Sequence, residues 1–374
     1  MRLAAVVLCA GRSSRLPRFK PLLRLGGMSL VGRAAALFRQ CGVEDILAVT
    51  GCRADEVARE TEAHGMRPVF NPRHAEGMFT SVQAGLAALP PEVDGVFVLP
   101  VDIPLIRPAS VKALAARFAD NPPPVLAPAF RDEPGHPPLL NKEAVARVLA
   151  WRGAGGLAGA LAELPQTLVP VADAQIIFDV DDDAAFAEAE RRETRLGIPT
   201  VPEALALLDI HHAGERGHAH ARGVADAALA LARALAAKGA PLDLGLVEAA
   251  ALLHDIAKGQ PKHEAAGAAI LAAQGFPRLA EIVAAHRDID PEGLTALTER
   301  EIVYLADKLV RGPERLPVAQ RFQEKLDRFA GDDEATSAIR QRLAHALHMQ
   351  ALLEKLAGAS VDKILCGAPP HAKT

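Results

Sequence analysis

The change of rhythm near residue 200 constrains this 374-residue chain more than any other feature. Before it, short apolar runs of strand length alternate with stretches whose apolar positions recur at helical spacing. Residues 3–9 (LAAVVLC), 45–50 (DILAVT), 95–100 (GVFVLP) and 124–130 (PVLAPAF) read as buried strands; 30–42, 54–65, 81–89 and 110–120 read as helices. Strands that are apolar on both faces need helices above and below them. The pattern therefore predicts a three-layer α/β fold around a mostly parallel sheet. Beyond residue 200, Ala/Leu-rich helical stretches follow one another at 220–237, 245–256, 262–274, 278–286, 298–309 and 334–357, with no strand expected between them. The expected organisation is an α/β domain over 1–195, a linker over 196–215 and an all-α domain over 216–360. The length by itself calls for two domains.

Half the residues are apolar, enough for two cores, and the net charge of -4 gives no signal for nucleic acid or an acidic membrane surface. Cys9, Cys41, Cys52 and Cys366 have no metal-ligand spacing, and Cys9 inside the first apolar run is expected to be a buried thiol. With no secretory segment and no apolar run of about 18 residues, a cytoplasmic protein with neither nucleic-acid nor membrane partners is expected.

The first strand ends in a glycine and then a scatter of cations: Ala10, Gly11, Arg12, Ser13, Ser14, Arg15, Arg18 and Lys20. Backbone N–H groups converge on phosphate oxygens only where side chains do not obstruct, which Gly11 and the small serines permit. Arg15 and Lys20 can neutralise the bound charge. Neither a Walker A sequence nor G-x-G-x-x-G is present. An exposed basic loop would read the same way, but Asp102 follows the strand at 95–100 and precedes Pro104. A carboxylate at the carboxyl edge of a parallel sheet is placed to share Mg²⁺ with a nucleotide.

These residues resemble the nucleotidyltransferases that attach a nucleotide to molybdopterin, in particular their cytidylyltransferase branch. The resemblance rests on LCAGRSSRLPRFKPL (8–22), NPRHAEGMFTSVQAGL (71–86), LPVDIP (99–104), GHPPLL (135–140) and FDVDDDAAF (178–186). Leu16-Pro17 departs from the Met-Gly usual in the loop, and the last stretch lacks the family's Thr and Pro. The resemblance implies a Rossmann-like nucleotidyltransferase sheet and cytidylyl transfer from CTP to molybdenum-molybdopterin, with release of pyrophosphate. It implies catalytic roles for Arg15, Lys20 and Asp102, and nucleotide contacts from Ala10, Gly11, Ser13, Arg15, Lys20, Asn71 and Ser81. Mg²⁺ would sit on Asp102 with Asp179 or, as preferred here, Asp181; helix capping explains those later aspartates nearly as well. Gly135, His136 and Pro137 would face the acceptor, and a molybdoenzyme or its maturation chaperone is the implied partner. GTP with molybdopterin, or a sugar-phosphate acceptor, remains the alternative.

In the second half, His254 and Asp255 are adjacent at the end of an apolar helix, with His220 upstream and His263, His286 and Asp307 downstream. Imidazoles and carboxylates together suit divalent transition ions. The order resembles the HD-domain metal-dependent phosphohydrolases. That resemblance implies an all-α HD domain in which His220, His254, Asp255 and Asp307 hold Fe or Mn. His263 and His286 match the additional pair of two-metal members, and Lys258 would steady a phosphate. Its substrate stays open, as does a regulatory or docking role for the domain. His211, His212 and His218 are not expected to be ligands.

Overall fold

In the computed structural model, which describes residues 1–12, 18–120, 122–286, 288–312 and 314–366, the chain divides into two compact units, Met1–Leu196 and Gly197–Thr374. The first is built on strands β1 (Leu3–Leu8), β2 (Asp45–Thr50), β3 (Arg67–Phe70), β4 (Gly95–Pro100), β5 (Val125–Phe130), β6 (Leu139–Asn141) and β7 (Gln166–Pro170). Their order across the sheet is β7-β5-β6-β4-β1-β2-β3. Among these seven strands all pairs are parallel except those made by β6, which runs antiparallel between β4 and β5; the two-residue strand Glu133–Pro134 also pairs antiparallel with β5. The sheet is thus a mixed, Rossmann-like one, and its one reversed long-range strand lies within GHPPLLN, a stretch too short to show strand periodicity. β3 and β7 were not legible either, because they lie at the edges and only part of their side chains are buried.

Helices α1 (Leu30–Gln40), α2 (Ala54–Ala63), α3 (Met78–Ala87), α4 (Pro108–Asp120), α5 (Lys142–Ala150), α6 (Gly156–Leu161) and α7 (Asp183–Arg195) complete the unit. The central strands are sealed: Ala4, Val6, Val49, Val96 and Val98 share one core with Val82 and Leu86 of α3. Glycine lets α3 lie that close. A Cβ on Gly85 would meet Val6 Cγ1 at 2.3 Å and Val49 Cγ2 at 2.9 Å. Gly77 caps the same helix with φ +123°, a backbone state that a side chain would strain.

The second unit contains α8 (Val201–Ile210), α9 (Gly214–Ala236), α10 (Leu244–Leu253), α11 (His263–Ala273), α12 (Pro277–Ala285), α13 (Glu299–Lys308), α14 (Val318–Arg328), α15 (Asp333–Ala357) and α16 (Val361–Cys366). The expected linker needs correction: it contains α8, opened by a Thr200–Glu203 capping box and buried along Ala204, Leu207 and Leu208. α14 was also unread, because its sequence VAQRFQEKLDR is mostly polar or charged and buries only Val318 and Phe322. A two-residue strand pair, Val310–Arg311 with Glu314–Arg315, interrupts the expected run of helices. No helix among the described residues is long and apolar enough to cross a membrane.

Candidate active sites

The first site forms where the loops after β1 and β4 meet the turn before α7. Asp102 leaves β4, and its carbonyl accepts from the N–H of Val180 at 2.8 Å, which draws the two acidic loops together. Lys20, on the one-turn helix Lys20–Leu22, then donates to Asp181 Oδ1 at 2.7 Å and Asp102 Oδ2 at 3.2 Å. Burial works against the ammonium charge, but Asp181 and Asp102 outweigh it and hold Lys20 above its ordinary pKa. Two carboxylates from loops far apart in sequence therefore converge on one cation. Their hard oxygen donors fit Mg²⁺ by the same chemistry.

A cavity of about 330 Å³ opens beside this trio, lined by Ala10, Gly11, Gly77, Met78 and Ser81 among others. The amino end of α3 faces it, so the helix's unpaired N–H groups and dipole add to its attraction for an anion. Asn71 does not line it. This buried side chain donates to Thr80 Oγ1 and Ser81 Oγ, each at 2.9 Å, and its Oδ1 accepts from the N–H of Arg73 at 2.9 Å. Asn71 thus holds the loop before α3 in shape and is bonded to Ser81, which lines the cavity. Ser13 and Arg15 lie outside the described residues.

Of the expected acceptor-side residues, Gly135, His136 and Pro137 are absent from the cavity lining. The His136 N–H donates to Ile176 O at 2.9 Å, and a Cβ on Gly135 would meet that same carbonyl oxygen at 2.6 Å. Burial lowers the His136 pKa against the pull of Asp102 and Asp179, and its buried Nδ1 has no hydrogen-bond partner among the described residues. Arg18 is turned outward to Asp183 at 3.1 Å and lies over the Phe186 ring. Cys9 is buried within the sheet, and burial pushes its thiol pKa well up.

The second site is assembled from helix ends. Asp255 stands at its centre. Its Oδ2 lies 3.4 Å from His254 Nε2 and 3.7 Å from His220 Nε2, while its Oδ1 lies 3.6 Å from both His263 Nε2 and His286 Nε2. Asp307 Oδ1 joins the first pair, 3.4 Å from His220 Nε2 and 3.7 Å from His254 Nε2. The six expected residues are therefore brought together, in two groups that share Asp255. His254 and His286 each set Nδ1 against a carbonyl three residues back, at 2.8 and 2.6 Å, so that Nε2 points into the cluster. Such anchoring fixes the tautomer that leaves a lone pair for a metal.

The electrostatics ask for a cation. Burial disfavours charge on Asp255, but His254 and His286, with Lys258, hold it far below the carboxylate range. Asp307 is held well below that range too, by Lys308, His220 and His254 against its burial. The two aspartates in turn outweigh burial to raise His254 to about 9. His220 nevertheless has both ring nitrogens buried without a hydrogen-bond partner among the described residues, as does Nε2 of His254. Orphaned nitrogens aimed at anionic oxygens are the donor set of a divalent transition metal, and the shared Asp255 offers one oxygen to each of two ions. Lys258 Nζ sits 2.6 Å from Asp255 Oδ2. His218 lies elsewhere, 2.8 Å from Asp209.

Two cations at this site were not read from the sequence. Lys308 Nζ donates to Asp307 Oδ2 at 2.8 Å and to His286 O at 3.2 Å, and Arg321 Nη2 donates to Asp307 Oδ1 at 3.1 Å. Lys308 was legible only as the neighbour of Asp307. Arg321 belongs to the unread α14 and carried no signal.

A nucleotide-sized anion site at strand ends and a histidine–aspartate metal cluster on helices define an enzyme with two chemistries. Residues 5–168 match the MobA-like NTP transferase domain, and residues 217–312 match the HD domain. The chain carries a MobA-like NTP transferase domain followed by an HD domain. The molybdenum cofactor cytidylyltransferase of Escherichia coli is 24% identical over 192 residues, which span 51% of this chain and 97% of that protein. The bifunctional protein GlmU of Azorhizobium caulinodans is 38% identical over 126 residues, spanning 32% of this chain and only 27% of the relative. The crystal structure of a homologue of Mycobacterium tuberculosis Rv0371c, from Mycobacterium sp. strain JC1, is 25% identical with a TM-score of 0.46, covering 52% of this chain and all of the other.

Proposed function

We propose that the first unit transfers a cytidylyl group from CTP to a molybdopterin-type acceptor and releases pyrophosphate, and that the second hydrolyses a phosphorylated small molecule. The observation that carries the first reading is Lys20 held between Asp102 and Asp181 at the mouth of a cavity lined by the glycine loop. On nucleotide entry Lys20 would turn from its carboxylates to phosphate oxygens, and Asp102 and Asp181 are the residues that would hold Mg²⁺. When bound, that ion neutralises phosphate charge and orients the triphosphate. Gly11 and the amino end of α3 accept the phosphates without steric obstruction, and Arg15 is assigned with Lys20 to the leaving pyrophosphate. No protein nucleophile is required; placement and charge complementarity lower the barrier.

The acceptor assignment draws support from the E. coli cytidylyltransferase, which aligns over nearly its whole length. A molybdoenzyme or its maturation chaperone would then receive the product. Another nucleotidyl transfer, with GTP or a sugar phosphate, is the second reading; the match to an NTP transferase domain, which names neither base nor acceptor, supports it as well. Pyrophosphate release measured with CTP, GTP and ATP, each with molybdenum cofactor and with sugar phosphates, decides between them. Release confined to a sugar-phosphate acceptor would end the cytidylyl reading.

In the second unit, His220, His254, Asp255 and Asp307 would hold one metal, and Asp255, His263 and His286 a second. Such ions, Fe or Mn by the mixed imidazole and carboxylate donors, supply an activated water and polarise a phosphoryl oxygen. Lys258, Lys308 and Arg321 set positive charge around the two aspartates where a phosphate would lie. Phosphate release from a nucleotide panel, with and without added Mn²⁺, tests this. No turnover across the panel would leave the domain a regulatory or docking module.

A further inference from the structure

The metal cluster opens into a cavity of about 960 Å³, at the upper end of the range that binds whole small molecules. Six cations line it: Lys258, Lys308, Arg321, Lys325, Arg328 and Arg342. Arg321, Lys325 and Arg328 recur at i, i+4 and i+7 along α14, so one face of that helix is a cationic wall. Arg342 comes from α15. Both helices lie beyond residue 312, where the match to the HD domain ends. The wall therefore lies outside the segment matched to that domain.

The cations fall into two sets. Lys258, Lys308 and Arg321 are tied to the cluster aspartates. Lys325 and Arg328 make no ion pair among the described residues, although the charge of Asp307 reaches Lys325, and Arg342 has only a 3.9 Å approach to Asp288. Nη1 of Arg321 is buried without a hydrogen-bond partner. Lys325 pays for the crowding: partial burial, then the charges of Lys308 and Arg321, lower it to about 8. Cations gathered around one cavity repel one another until an anion enters. A single phosphate at the metal cluster would meet the first set and leave the second unanswered. Phe329, 46% exposed, and the buried Ile339 of α15 also line the cavity, which gives it apolar lining as well.

We propose that α14 and α15 form a second phosphate subsite. On this reading the second unit selects nucleotide-sized ligands carrying two or more linked phosphates over monophosphates. The inference rests on the metal-site reading above for where the first phosphate lies, and it names the substrate class of that site.

The test is a binding series rather than turnover. The full chain carrying Lys20→Ala, which silences the first unit's phosphate site, is loaded with Mn²⁺ and titrated calorimetrically with orthophosphate, pyrophosphate and tripolyphosphate. Bound metal is measured after each titration. Tripolyphosphate is expected to bind at least tenfold more tightly than orthophosphate. Adding Lys325→Ala and Arg328→Ala should weaken tripolyphosphate about tenfold while leaving orthophosphate and metal content unchanged, and Lys325→Arg with Arg328→Lys should restore most of the loss. Equal affinity along the series, or a double alanine variant that binds tripolyphosphate normally, overturns the proposal. Chain-length selectivity without hydrolysis of any nucleotide would uphold the subsite and overturn the phosphohydrolase reading, so the two failures are distinct.

Discussion

In the first unit the reactive side chains stand on loops beyond the ends of strands, and in the second they stand on helices, most of them near a helix end, around the partly buried Asp255. Lys20 and Asp181 are 161 positions apart and meet only because β1, β4 and the turn before α7 finish at one edge of a sheet. Their charges offset one another directly. The helical cluster is different: its aspartates are shared among histidines and lysines, and imidazole nitrogens remain buried without partners. The loop site can trade partners cheaply, as a transferase that binds and releases a charged nucleotide must. The helical site cannot relax its unpaired groups, because each is fixed by a packed helix, and it therefore demands an ion.

Substitutions at the two centres should break the chain's activities independently. Lys20→Ala is expected to reduce CTP-dependent pyrophosphate release by at least about a hundredfold, with phosphate release by the second unit intact. Asp102→Ala should do likewise. Steady-state assays of both reactions on one preparation check this, and normal transferase turnover by Lys20→Ala would remove the basis of the first reading.

Asp255→Ala should cut metal affinity or phosphohydrolase activity about ten- to a hundredfold or more, because the residue serves both metal groups. Metal content after dialysis is the direct readout. His218→Ala, outside the cluster, should retain the metal.

Protonation sharpens the contrast. Without metal, His254 is raised from its ordinary 6.5 to about 9 in the folded chain. The stability this gives is fully present below the unfolded value near 6.5 and is lost as pH rises through about 9, on the order of 3 kcal/mol. The chelated second unit should therefore melt at lower temperature at pH 9 than at pH 6.5. Metal affinity should move the opposite way, because an ion must displace that proton. A chelated protein whose melting is flat across the window would contradict the coupling.

A steric change tests the sheet that carries the first site. Gly85→Val forces a side chain into Val6 and Val49, and should destabilise the first unit by roughly 1–3 kcal/mol in denaturant titration. The smallest effect is expected at Arg18. Its pair with Asp183 is exposed, so Arg18→Ala should change stability by less than about 1 kcal/mol and leave transferase activity near normal. A large activity loss there would mean that Arg18 turns toward the nucleotide when it binds.

How much of this was legible varied with local signal. The buried strands β1, β2, β4 and β5 and most of the long helices declared themselves through uninterrupted or periodic apolar positions. β6, α8 and α14 did not: one is three residues long, one lies in a stretch punctuated by prolines, and one shows the solvent mostly charge. The histidine–aspartate doublet and its four outlying partners could be picked out in order, whereas Arg321 could not. Asn71 was found for its family position, yet its hydrogen bonds show a side chain that shapes the loop before α3.

Sequence by itself determined two domains of different rhythm, a small-residue turn after the first strand, and six potential metal ligands at or near helix ends. Those features are local, and burial periodicity and residue chemistry express them directly. Tertiary structure decided that Lys20 bridges Asp102 and Asp181, that Asp255 divides its oxygens between two groups of ligands, and that α14 turns its cations onto the metal cavity. Each of these depends on where distant segments end in space, and side-chain spacing along one segment cannot encode that.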